Sequence, residues 1–191
     1  MSIGYSVEGA TDRAFLEGLR RRWCPDAILM EGSFRGASGI SLRRDIPRIC
    51  RELGHKGARV IVFLTDANEQ DWRQVKRRES EFVPIEFRHI TLYGVADRNV
   101  ECWLAVDQDY LARRLGVSSQ ALDGPDPKGI FERALGITSY ERKEEEIAST
   151  VCDAPLRDWL KRSPSFQAFY EDARALSRQE GHPIPNEWES E

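Results

Sequence analysis

At 191 residues the chain is long enough to enclose a hydrophobic core and short enough to form one domain, with or without a small helical appendage. Hydrophobic residues at 40% and charged residues at 31% argue against disorder, and no apolar run approaches the roughly 20 residues that a bilayer helix needs, so no membrane association is expected. A formal net charge of -4 argues against a protein that coats nucleic acid by bulk electrostatics, yet leaves room for a local basic surface.

The N-terminal stretch Ile3 to Val7 is rich in β-formers and lacks the basic start and long apolar region of a secretory signal, so a first strand of a cytoplasmic protein is expected. It runs into Glu8-Gly9-Ala10-Thr11-Asp12 and then a stretch with Phe15, Leu16, Leu19 and Trp23 at helical spacing. Thr11 or Asp12 is expected to cap that helix, because a short side-chain oxygen accepts an N–H that the first turn leaves unpaired. A short apolar run, Ala27 to Met30, gives way to a loop over Gly32–Gly39, after which Leu42, Ile46, Ile49 and Leu53 resume helical spacing with Gly54 placed as a left-handed cap.

Arg59 to Thr65 is the clearest strand, continuously apolar as expected of a parallel strand covered on both faces, and it ends at Asp66. A polar helix is expected over about Glu69 to Ser80, then a strand over Phe87 to Tyr93. Alternation of strand and helix favours a mostly parallel sheet flanked by helices, since parallel neighbours need crossover connections. After Gly94, short helices are expected over Val100–Val106 and Tyr110–Leu115, the second stopped by Gly116. A turn-rich linker, Asp123 to Gly129, leads to helical segments around Phe131–Leu135, Lys143–Ser149, Leu156–Leu160 and Phe166–Leu176, and the tail after Gly181 reads as extended. The expected organisation is an α/β core over 1–116 and a helical C-terminal extension over 117–191 packed on the same domain.

Four cysteines without a C-x-x-C pair indicate neither a zinc ribbon nor a redox motif, and three scattered histidines suggest no metal site or triad. The loop over 32–39 lacks the Lys and spacing of an NTP-binding loop, so ATP hydrolysis by this chain is not expected. Arg20–Arg22, Arg43 and Arg44 with Arg48 and Arg51, and Lys76–Arg78 are basic clusters that read either as solvated helix faces or as phosphate contacts.

In open α/β sheets ligands bind beyond the carboxyl ends of the strands, so residues just past each strand come first. Glu8, Asp66 and Glu101 meet that condition, and carboxylate oxygens are the hard ligands that Mg²⁺ or Mn²⁺ prefer. Each taken alone also reads as a helix cap or a first-turn acid. Asp107 reads as the cap of the helix at Tyr110, and Trp103 and Leu104 as core. Lys128, after two prolines in a restrained turn, reads either as a phosphate-contacting catalytic residue or as an exposed turn lysine.

Val7-Glu8-Gly9-Ala10-Thr11-Asp12 after a first strand, followed by Leu64-Thr65-Asp66-Ala67-Asn68, resembles the Toprim domain, the catalytic fold of topoisomerases, primases and overcoming-lysogenization-defect nucleases. Asn99 to Asp107, with Glu101 before the Trp103-Leu104 pair, and the later Pro127-Lys128 are similar to a small bacterial Toprim-like family of unknown function. The resemblance implies that Glu8 is a metal-linked acid or base and Asp66 a metal ligand. Toprim domains commonly carry Asp-x-Asp where this chain has Asp66-Ala67-Asn68; Asn68 still offers a carbonyl oxygen, and Glu69 or Glu101 can restore the missing charge. The function so implied is a Mg²⁺- or Mn²⁺-dependent nuclease acting on DNA or RNA, with an ATPase partner, including in phage defence. The alternative is a non-catalytic Toprim-like subunit that binds metal or nucleic acid.

Overall fold

The computed structural model describes the backbone of residues 1–33, 40–122, 127–136 and 140–189, with side chains at 40–43, 121, 127, 128, 130, 140 and 141 outside the description. Strands β1 (Ser2–Val7), β2 (Ile28–Glu31), β3 (Val60–Asp66) and β4 (Thr91–Ala96) form one sheet in the order β2-β1-β3-β4. Every pairing is parallel. The connecting helices are α1 (Ala10–Trp23), α2 (Ile40–His55) and α3 (Trp72–Ser80). Strand order reverses between β1 and β3, the place where an open sheet leaves a crevice at its carboxyl edge.

The continuous apolar run of β3 is explained by its two faces. Val60, Val62 and Leu64 pack with α1 in one core cluster, while Ile61 and Phe63 pack with Ile46, Ile49 and Leu53 of α2 and Val75 of α3 in another. Side chains alternate across a strand, so a strand covered on both sides must be apolar at every position.

After β4 come α4 (Val100–Leu104), α5 (Gln108–Leu115), α6 (Pro127–Leu135), α7 (Tyr140–Asp153), α8 (Leu156–Arg162) and α9 (Pro164–Gln179). These helices share the α1-side core: Phe15, Trp103, Trp159 and Phe166 are fully buried together, and the indole N–H of Trp103 donates to Ser165 Oγ at 2.7 Å. Among the described residues no helix is long and apolar enough to cross a membrane. All four cysteines are free, and burial pushes the Cys50 thiol up to about 12, so it is an inert core group.

Several local expectations are corrected. The fourth strand is displaced: residues Ile85–Ile90 form a 3-10 helix and the strand begins at Thr91, continuing through Gly94 to Ala96. Gly94 lies inside the strand because the Phe169 ring occupies its side-chain space, where a Cβ would fall 2.6 Å from Phe169 Cδ2. Gly54 is no cap either. Helix α2 runs on to His55, the left-handed residue is Gly57 at φ 82°, and Gly54 is bare because a Cβ would fall 2.7 Å from Phe87. Helix α3 begins at Trp72 rather than near Glu69, with Asp71 accepting from the Arg73 N–H. Gly116 at φ 67° closes α5 as expected. The loop at 34–39 and the linker at 123–126 lie outside the described residues.

Candidate functional site

Parallel pairing sets Val7 level with Leu64, so the chain leaving β1 and the end of β3 emerge side by side. Glu8 and Asp66 meet there: Glu8 Oε1 accepts the Asp66 backbone N–H at 3.4 Å. Beyond β3 the chain stays zipped to the segment after β4, with Ala67 N–H donating to Ala96 O at 2.9 Å and Asn68 N–H to Arg98 O at 2.8 Å. That pairing delivers the start of α4 to the same edge. Asn99 caps α4 by accepting from Cys102 N–H at 3.2 Å, and Glu101 in its first turn is buried.

Asp12 completes the group. Helix α1 starts at the end of β1 with Gly9 as its N-cap, and Asp12 folds back so that Oδ2 accepts the Gly9 N–H at 2.8 Å. The expectation that Thr11 or Asp12 occupies the cap position is corrected: Asp12 serves the cap from inside the first turn. Glu8, Asp12, Asp66 and Glu101 line one cavity of about 360 Å³. Its far wall comes from the C-terminal helices, where Lys143 is bound to Glu132 at 2.6 Å and Glu144 holds Arg13 at 2.6 Å.

Burial and like charge shape these acids. Asp12 is pushed up to about 7, first by burial and then by Glu101 and Glu8, against the stabilising Gly9 N–H. Glu8 is also raised, chiefly by burial, with the Asp66 N–H opposing and Glu79 adding repulsion. Glu79 itself is buried on α3 and accepts from the Tyr93 hydroxyl at 2.8 Å.

The remaining candidates fall elsewhere. Asn68 takes a left-handed backbone at φ 54°, and both Asn68 and Glu69 are exposed and do not line the cavity. Lys128 lies in the first turn of α6, and its side chain is outside the described residues. Asp107 caps α5, with Oδ1 accepting from Tyr110 N–H at 3.0 Å. Arg20, Arg21 and Arg22 are committed to internal partners, Glu17, Glu145 and Glu187, so that cluster is structural. Sequence reading missed the cavity role of Asp12; its signal was a second acid within one turn of the strand end. Glu132, Lys143 and Glu144 gave no such signal, because only the packing of α6 on α4 and of α7 on α1 brings them there.

The donor set is all oxygen and acidic, which suits a hard divalent cation and not zinc. Among the described residues no three Asp, Glu, His or Cys side chains are grouped to hold an ion in their present rotamers. The carboxylate oxygens of the cavity are of the type that Mg²⁺ or Mn²⁺ prefers, without a preformed coordination shell among the described residues. No protein-family model matches the chain, and neither a characterised protein nor a solved structure matches it.

Proposed function

We propose that this protein is a Mg²⁺- or Mn²⁺-dependent phosphodiester hydrolase acting on DNA or RNA, with Glu8, Asp12, Asp66 and Glu101 around the metal. The observation that carries the reading is the convergence of these acids in one cavity at the β1/β3 reversal, two of them from adjacent strand ends. Buried acids that repel one another are stabilised by a cation, and burial without one raises Asp12 and Glu8. When bound, the ion supplies charge stabilisation at the phosphate oxygens and a more acidic water. Glu8, raised above an ordinary carboxyl and oriented by the Asp66 N–H, is the group that accepts or returns a proton. Asp66 and Glu101 hold the cation, and the phosphate-contacting role of Lys128 is what the resemblance implies. The resemblance to Toprim nucleases supports the same assignment and implies an ATPase partner, and the cytoplasm is the proposed compartment.

A second reading, a non-catalytic metal-binding or nucleic-acid-binding subunit, is favoured by Asn68 and Glu69 lying outside the cavity, which leaves the usual second acid of the motif absent from it. Calorimetric titration with Mn²⁺, run beside cleavage of single- and double-stranded DNA and RNA, separates the two. The hydrolase reading expects Asp66→Ala to abolish metal-dependent cleavage with far-UV circular dichroism unchanged, because Asp66 ends a strand and supports no core. Tight Mn²⁺ binding with no cleavage of any substrate selects the binding subunit, and absence of Mn²⁺ binding sinks both.

A further inference from the structure

Helices α1 and α7 pack along each other, and the carboxylate cavity occupies only one end of the pair. At the other end a larger cavity of about 540 Å³ opens between α5, the end of α7 and α8. Arg113 of α5 and Arg157 and Lys161 of α8 converge on it from two helices, with Tyr110 in the wall. Elsewhere on this surface the arginines are spent on internal ion pairs: Arg13 with Glu144, Arg21 with Glu145, Arg22 with Glu187 and Arg114 with Glu146. Arg113 and Arg157 are exposed and make no hydrogen bond or ion pair among the described residues, and Lys161 has only a 3.4 Å contact to half-exposed Asp158. Asp153 and Asp158 also line the cavity, and against them Arg22, Arg113, Arg157 and Lys161 leave a net positive lining that a polyanion balances. The guanidinium fork matches phosphate oxygens in pairs.

The spacing of the two cavities gives the anion a length. Asp12 lines one and Arg22 the other, both on α1, and ten residues at 1.5 Å each place them about 15 Å apart. We propose that the Arg113–Arg157–Lys161 cavity binds the phosphodiester backbone of a nucleic-acid strand and anchors it about 15 Å from the carboxylate cavity. The inference deepens the hydrolase reading and rests on it for the fate of the strand, while binding itself needs neither metal nor cleavage.

The test is fluorescence anisotropy of labelled single-stranded DNA and RNA oligonucleotides with the full chain in EDTA, over a salt titration. Wild type is expected to bind with affinity that falls as salt rises. Arg113→Ala with Arg157→Ala is expected to weaken binding at least tenfold and to flatten the slope of log affinity against log salt by about 1.4, or 0.7 for each lost phosphate contact. Arg178→Ala, an exposed cation at the far end of α9, is the control and leaves affinity at low salt within twofold. Both substituted arginines are exposed, so the fold is retained, and Arg157→Glu alone should move affinity the same way. The proposal is overturned by no binding in wild type, by a double variant that keeps the wild-type affinity and slope, or by inorganic phosphate displacing the oligonucleotide at equal phosphate concentration, which would mark a site for the free anion. Binding in EDTA without cleavage on adding Mn²⁺ keeps this site and removes the hydrolase reading; cleavage insensitive to the arginine variants does the reverse.

Discussion

Replacing Asp12 by asparagine removes a buried charge from the carboxylate cavity while keeping an oxygen for the Gly9 N–H. In the folded protein the Asp12 carboxyl is carried from 3.8 to about 7, chiefly by burial, a penalty on its charged form of about 4 kcal/mol. Water entering the cavity reduces this, so about 2–4 kcal/mol is the expected range. The sign follows from proton linkage. Below about pH 4 the carboxyl is protonated in both states and costs nothing; between about pH 4 and 7 the unfolded chain releases its proton first, so the folded state binds more protons and stability falls as pH rises. Above about pH 7 the loss is complete, and Glu8, also raised, adds in the same direction. Urea unfolding followed by fluorescence, with Trp103 and Trp159 fully buried as reporters, should show wild type losing this stability between about pH 4 and 7 while Asp12→Asn stays nearly level. Excess Mn²⁺ should restore wild type at about pH 8 and leave Asp12→Asn less affected, because a bound cation favours the ionised acid. Parallel pH profiles for the two proteins would refute the account of Asp12, and no effect of Mn²⁺ on wild type would count against a metal site.

Two further substitutions test how the C-terminal helices are held. Glu187 is 1% exposed, takes both oxygens to Arg22 at 2.7 Å and accepts the Trp23 indole N–H at 2.8 Å, so Glu187→Gln should cost about 3 kcal/mol, read as a lower urea midpoint at unchanged slope. A change under about 0.5 kcal/mol would mean the tail is not clamped to α1. Gly18→Ala should destabilise by about 1–3 kcal/mol although alanine is the better helix former, since its Cβ would fall 2.5 Å from Ala148 O and 2.6 Å from Val151 Cβ. A stabilised variant in thermal melts would show that α7 does not approach α1 so closely.

Strand and helix order were legible in the sequence because they rest on local periodicity. The apolar run ending at Asp66, the helical spacing of Phe15, Leu16 and Leu19, and the Gly116 stop all state their own conformation. The strand-end rule likewise picked Glu8, Asp66 and Glu101, three acids that line one cavity. Sequence failed where a distant ring fills a glycine's missing side chain: Gly54 and Gly94 look like punctuation, yet Phe87 and Phe169 explain them. It also failed for groups set by helix packing. Nothing local says that Asp12 will be buried beside Glu101, that Glu132 and Lys143 will close the cavity, or that Arg113 and Arg157 will face one space while Arg20 to Arg22 are consumed by ion pairs. Local sequence determines which backbone state each segment prefers, whereas burial and charge pairing depend on partners tens of residues away, and only the tertiary structure brings those together.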